Sequence, residues 1–226
     1  MKPISPYHKP GFYQDALAKG RHRDIVGGRW DETGRIQMAL LRGAGLLAHH
    51  RLLDIGCGSL RLGCKAVPYL ACGNYWGTDL SAALMHHGRE AEFDDPASLP
   101  ADHLIADANF DFQGIPADID FAIAFAVFTH LPMDHLRRAL THIHARFPAL
   151  QRLLFTVFLA PDAAQASASV RQPDGVVTHP HRAPYHFLAA DIRALALNAG
   201  FECTAHDSRL PRGQVLFVAT RSGQLD

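Results

Sequence analysis

Three acids and two glycines, Asp54, Gly56, Gly58, Asp79 and Asp107, stand where they can hold one small ligand between them. Gly56 and Gly58 follow the run Leu52-Leu53-Asp54-Ile55 and let the backbone turn sharply and approach a ligand that a Cβ would keep away. A lone G-x-G serves several ligands, so its neighbours decide. The dinucleotide fingerprint needs a third glycine three residues after the second; Arg61 stands there. That fingerprint also aims backbone amides at an anionic pyrophosphate, which Asp54, two residues before the first glycine, would repel. The acid suits a ligand with positive charge and no phosphate.

Two further acids extend the pattern. Asp79, in Tyr75-Trp76-Gly77-Thr78-Asp79-Leu80, falls about 20 residues after the glycines, where a carboxylate at a strand end accepts both ribose hydroxyls. Asp107, in Ala106-Asp107-Ala108, can accept from an adenine amino group. Taken singly, each acid reads as readily as a loop or helix-cap residue, Asp79 before Leu80-Ser81 included. Taken together, three acids at three successive strand ends point to a cationic, phosphate-free nucleoside. S-adenosylmethionine (SAM), with a sulfonium and an α-ammonium, is one.

The elements that must position these residues alternate. Strands are expected over residues 51–55, 75–79, 103–106, 119–125, 153–159, 202–205 and 215–220, and helices over 33–47, 60–70, 81–93, 133–147 and 189–199, the last ending at Gly200. This is the pattern of an α/β, doubly wound, Rossmann-like sheet of seven mostly parallel strands. The loop 207–213 is too short for a parallel crossover, so the last two strands must pair antiparallel. Residues 1–50 form an N-terminal helical extension or cap, and 51–226 the main domain. Residues 160–187, rich in Ala, Ser, Pro and His, form a loop long enough to be a functional lid or a disordered segment.

Leu53-Asp54-Ile55-Gly56-Cys57-Gly58 resembles the first motif of the class I SAM-dependent methyltransferases. Gly77-Thr78-Asp79-Leu80-Ser81 is similar to their second motif, Asp107 to their adenine-side acid, and Asp120 to Phe125, followed by Val127 to Pro132, to their fourth-strand motif. The resemblance covers about residues 51–220. It implies a seven-stranded sheet with the last strand antiparallel, and in-line methyl transfer from SAM. It places Asp54, Gly56, Cys57, Gly58, Asp79, Leu80, Asp107, Ala108, Phe125 and Phe128 around the cofactor. A narrower likeness, in Gly27 to Arg35, Gly58 to Arg61 and Pro211 to Gln214, is to a group of bacterial methyltransferases of undefined acceptor.

Methyl transfer needs mainly alignment, with a general base where the acceptor is a hydroxyl or an ammonium. His130 is one candidate base, and the alternative is a helix cap packed under the loop. His179 and His181 in the long loop are candidates for acceptor contact, against a solvated loop or a metal site. Trp30, Arg35 and Tyr13 are placed to close over the cofactor, Arg35 pairing with its carboxylate, or else to pack as one face of an amphipathic helix. Phe125 and Phe128 serve either as core or as cofactor-stacking rings.

The 22 basic and 22 acidic residues cancel, which leaves no excess for neutralising nucleic-acid phosphates. No apolar run approaches the roughly 20 residues of a membrane span, and Met1 to Arg23 lacks a signal-peptide core. A cytoplasmic, bacterial enzyme is expected, its four cysteines free thiols. Neither cysteine spacing nor the pairs His49-His50 and His86-His87 define a metal site. The acceptor expected is a small molecule, methylated on oxygen or nitrogen, with no nucleic-acid or membrane partner and an oligomeric state left open. RNA or protein methylation, or SAM binding without turnover, are the alternatives.

Overall fold

The computed structural model describes residues 5, 7, 9, 11–206 and 210–223. Seven helices, α1 (Phe12–Ala18), α2 (His22–Ile25), α3 (Trp30–Gly43), α4 (Gly63–Ala66), α5 (Ala82–Glu92), α6 (Met133–Arg146) and α7 (Ala189–Asn198), occur among the described residues. The seven long-range strands are β1 (Leu52–Ile55), β2 (Tyr75–Asp79), β3 (Leu104–Ala106), β4 (Phe121–Ala124), β5 (Arg152–Leu159), β9 (Phe201–His206) and β10 (Val215–Arg221), with the short β6 (Val170–Arg171), β7 (Val177–Thr178) and β8 (His186–Phe187) between β5 and β9. The order across the sheet is β3-β2-β1-β4-β5-β10-β9, with β8 added in parallel at the end of β5, so the sheet has eight strands rather than seven.

The central strands β1 and β4 are buried along their whole length, as apolar runs covered on both faces must be. One face packs Leu136, Ala139, Leu140 and Ile143 of α6 and Ile192, Leu195 and Ala196 of α7 against the sheet. The other packs Leu41 of α3, Ala66 of α4 and Met85 of α5. The chain winds outward from β1 in one direction and from β4 in the other, and the gap between their carboxyl ends is where such folds bind ligands. β10 lies antiparallel between β5 and β9, as its short connection requires; residues 207–209 of that connection lie outside the described ones.

Local chemistry explains the element ends. The Ser81 hydroxyl accepts from the Leu84 amide at 3.2 Å and starts α5. Gly200, at φ 87°, ends α7 in the left-handed conformation. The helix expected over 60–70 shrinks to α4. Leu60 already sits at φ 68°, and Pro68 lacks the N–H that would continue the ladder. The helices α1 and α2, absent from the sequence reading, are too short and too polar to announce themselves by periodicity.

Residues 160–187 form a structured lobe. The Gln172 side-chain amide donates to the Leu159 carbonyl and the Thr178 hydroxyl. His186 contacts the Ala166 carbonyl through Nε2 and Thr178 through Nδ1. Because a carbonyl only accepts, Nε2 carries the proton, and the single Thr178 O–H is shared between His186 Nδ1 and the Val170 carbonyl. These three polar side chains are all buried.

One close contact ties a helix to the glycine loop. A Cβ on Gly88 of α5 would overlap the backbone of Ser59. Gly88→Ala is therefore expected to destabilise the protein, because overpacking costs about 1–3 kcal/mol against the roughly 1 kcal/mol that alanine gains in a helix. A lowered urea midpoint with an unchanged slope checks this; an unchanged or higher midpoint refutes it.

Candidate active site

A cleft of about 240 Å³ opens at the carboxyl ends of β1 and β4. Its floor is the turn after β1. The Gly56 and Cys57 amides both donate to the Thr78 carbonyl, at 2.7 and 3.0 Å, and the Gly58 amide donates to Asp79 Oδ2 at 2.9 Å. Gly56 and Gly58 have φ of 71° and 56°. A Cβ on Gly56 would overlap Val127, and one on Gly58 would lie 2.5 Å from Val26 Cγ1. The turn therefore needs glycine for its backbone conformation and for its walls. The cradle so formed fits a ligand that approaches the main chain.

The acids differ in their surroundings. Asp54 is buried, and the Tyr75 hydroxyl donates to its Oδ2 at 2.7 Å. Burial pushes its pKa up to about 7, opposed by the Tyr75 hydrogen bond and by the Arg61 charge. Burial also raises Asp79, opposed by amides including those of Ser81 and Gly58. Asp79 accepts from Ser81 at 3.2 Å on its other oxygen, which leaves lone pairs on both oxygens for a vicinal diol. Asp107 is held more tightly. Its oxygens accept from the amides of Asn109, Asp111 and Phe112 at 2.9, 3.2 and 2.8 Å, so it shapes the loop that borders the cleft. Leu80, Ala108 and Phe125 line the wall beside it.

The opposite rim is built by a strained turn. Ala126 sits at φ 61°, a conformation unfavourable for a residue with a Cβ. It is held by its amide donating to Thr156 Oγ1 at 2.7 Å and by Thr129 Oγ1 donating to its carbonyl at 2.9 Å. Thr156 in turn donates to Gln214 at 2.6 Å. This turn delivers Thr129, His130 and Leu131 to the cleft. His130 Nδ1 is buried with no hydrogen-bond partner among the described residues. Burial, with Arg212 adding to it, pushes the His130 pKa down to about 4. The ring is neutral at pH 7, and Tyr7 packs edge-on against it at 5.0 Å.

A roof comes from the N-terminal segment, with Ser5, Tyr7, Tyr13, Val26 and Gly27 among the lining residues. Three successive residues, Gly27, Gly28 and Arg29, have positive φ of 97°, 63° and 46°. Two arginines clasp this turn: Arg61 Nη1 donates to Val26 O at 2.7 Å and Gly28 O at 3.4 Å, and Arg212 Nη2 donates to Gly27 O at 3.0 Å. The roof is also anchored on α5, where Arg23 and His22 meet the Glu92 carboxylate.

Several expected site residues fall elsewhere. Trp30 lies outside the cleft under the Arg23 guanidinium, 5.3 Å from its centroid, because it opens α3 on the side facing α2. Arg35 is exposed on α3, since the buried face of that helix runs through Thr33, Gly34, Gln37 and Leu41; the guanidinium in the cleft is that of Arg61. Phe128 is a core residue, packed on Phe155 and Phe110. His179 turns its Nδ1 to Ser169 at 2.7 Å and His181 is exposed, so neither lines the cleft. Their loop contributes Val176 and Pro184 instead. Among the described residues no group of three or more His, Cys, Asp or Glu is placed to hold a metal ion.

Residues 53–147 match the family model described as a methyltransferase domain. That match and the fold are consistent with a class I SAM-dependent methyltransferase family. The cofactor of this class is SAM, and the glycine cradle with its two flanking acids fits it. Solved methyltransferases share the fold at low identity. A magnesium protoporphyrin IX methyltransferase from Synechocystis with bound SAM is 18% identical, with a TM-score of 0.58 over 85% of this chain and 79% of that one. An amino pentose methyltransferase from Micromonospora echinaspora is 19% identical, with a TM-score of 0.61 over 93% and 97%. A TehB-like methyltransferase from Corynebacterium glutamicum is 18% identical, with a TM-score of 0.60 over 95% and 100%. A search of curated protein sequences finds no match.

The residues that sequence reading missed in this methyltransferase are Tyr7, Arg61 and Arg212. Arg61 carries a sequence signal, an arginine inside an otherwise apolar stretch and at the end of the Gly58 to Arg61 likeness.

The raised pKa of Asp54 has a measurable consequence. An unfolded aspartate titrates near 3.9, whereas Asp54 in the fold keeps its proton up to about 7. Between those values the folded state binds more protons than the unfolded one, so this residue lowers stability as pH rises from about 4 to about 7. Asp54→Asn removes the effect. Denaturant midpoints across that window should move in favour of the variant as pH rises; a pH-independent difference would show that Asp54 titrates normally.

Proposed function

We propose that the protein transfers a methyl group from SAM to an oxygen or nitrogen of a small-molecule acceptor, in the cytoplasm of a bacterium, with residues 1–50 serving as a cap on the domain 51–226. The observation that carries this reading is the junction of β1 and β2, where Asp79 holds the glycine turn by one oxygen and keeps acceptor capacity towards the cleft. Asp79 would take the ribose hydroxyls. Leu80, Ala108 and Phe125 would flank the adenine beside the Asp107 loop. Asp54 and Arg61, of opposite charge and facing each other across the turn, match the ammonium and carboxylate of an amino acid.

SAM, when bound, supplies an electrophilic methyl group on a sulfonium. The work of this chain is then alignment and exclusion of water. Alignment of two reactants can remove about 7–11 kcal/mol of barrier. The Ala126 turn holds His130 rigidly at the far side of the cleft, where its neutral ring can accept a proton from the acceptor. A pKa near 4 makes it a weak base, so the better acceptor is one that is already ionised or needs only orientation. The roof of Tyr7 and Tyr13 and the small volume of the cleft favour a small acceptor over a folded RNA or protein. Four free cysteines fit a reducing compartment.

S-adenosylhomocysteine at concentrations well above its dissociation constant is expected to raise the melting temperature, as any ligand of the folded state does, and NAD is not. Stabilisation by NAD alone would overturn the assignment. Asp79→Ala should weaken cofactor binding by about 1–3 kcal/mol, the worth of hydrogen bonds to a charged group, or roughly 5- to 150-fold in calorimetric affinity. An unchanged affinity would remove Asp79 from the site.

A further inference from the structure

We propose that the acceptor carries a carboxylate and that Arg212 holds it, on the side of the cleft that also carries His130. The inference deepens the methyltransferase reading and rests on it. Arg61 and Arg212 both line the cleft. Among the described residues, no carboxylate lies within 4 Å of either guanidinium, although six arginine–carboxylate pairs occur elsewhere among them. Both are positioned by carbonyl oxygens of the Gly27-Gly28 turn instead, which fix a guanidinium without neutralising it.

The cofactor has a single carboxylate. Arg61 is the arginine beside the glycine turn, buried and within the field of Asp54, so it belongs to the amino-acid end of that ligand. Its Nε–H and both Nη1 hydrogens are taken by Gln37, Val26 and Gly28, which leaves the two hydrogens of Nη2 for one carboxylate. Arg212 is then a second cation without a partner. Its charge reaches Tyr7 and His130 and also Arg61, but it is more exposed than Arg61, as a residue meeting an exchanging acceptor should be. One of its five donors is engaged by the Gly27 carbonyl.

Its backbone supports the same role. Arg212 sits at φ 67°, an unfavourable conformation for a residue with a side chain, and its amide is held there by Asp174 Oδ2 at 2.7 Å. The loop lobe 160–187 thus presents the guanidinium through the main chain of Arg212, while Asp174 spends its own oxygen on an amide rather than on the cation. A planar fork of donors is suited to a carboxylate.

The test uses acetate as the probe and the ring resonances of His130 as the readout, assigned with His130→Asn. The titration midpoint of His130 is followed with and without saturating S-adenosylhomocysteine, whose own affinity is measured separately. Acetate that neutralises Arg212 should raise the midpoint saturably, and chloride at equal ionic strength should not. Arg212→Gln should abolish the acetate response and leave cofactor affinity within about twofold, and Arg212→Lys should restore part of it. The proposal fails if acetate acts no more strongly than chloride, or acts equally on Arg212→Gln. It also fails if S-adenosylhomocysteine alone eliminates the acetate response and Arg212→Gln loses cofactor affinity more than tenfold, because Arg212 would then hold the cofactor. Failure of S-adenosylhomocysteine to bind at all would overturn the methyltransferase reading, while the acetate titration of the free protein would still decide the role of Arg212.

Discussion

The hydrogen bond from the Gly58 amide to Asp79 is the constraint around which the ligand cleft is organised. It joins the end of β1 to the end of β2 at the place where the sheet stops supplying partners. Without it, a turn with two glycines at positive φ would sample many conformations. The Thr78 carbonyl, accepting from Gly56 and Cys57, fixes the first half of the turn, and Asp79 fixes the second. Everything else in the cleft is measured from that turn, since Val26, Val127 and Ser59 all pack against it or just beyond it.

The two sides of the cleft are electrostatically distinct. On the glycine side, two buried acids share space with one buried arginine, and the fold holds Asp54 partly protonated at neutral pH. On the far side there are a neutral histidine, two tyrosines and an exposed arginine. Burial acts in opposite senses on the two ends. It raises the acid and lowers the base, and in both cases suppresses charge.

The alternation of strands and helices, the antiparallel last pair and the acids at the first strand ends were legible from residue types and spacing. They depend on local periodicity and on turn chemistry, both written in consecutive residues. The far side of the cleft was not legible. Trp30 and Arg35 looked apt because of their chemistry, but the helical phase of α3 turns Arg35 to solvent and places Trp30 on α2. His179 and His181 looked apt because they are histidines in a long loop, yet buried bonds among Gln172, Thr178 and His186 decide which way that loop faces. Arg61 and Arg212 required the tertiary meeting of distant segments. The likeness in Gly58 to Arg61 and Pro211 to Gln214 marks both segments without bringing them together.

That meeting sets an order on how the protein matures. The turn 27–29 is gripped by Arg61 from just after the first strand and by Arg212 from just before the last one. Contacts between segments so far apart in sequence form late, because the intervening chain must be ordered before they are rewarded. The glycine turn needs only the adjoining ends of β1 and β2, whereas the grip of Arg212 on the 27–29 turn needs the β9–β10 connection in place. The glycine floor is thus held by neighbouring strand ends, and the roof by segments remote in sequence.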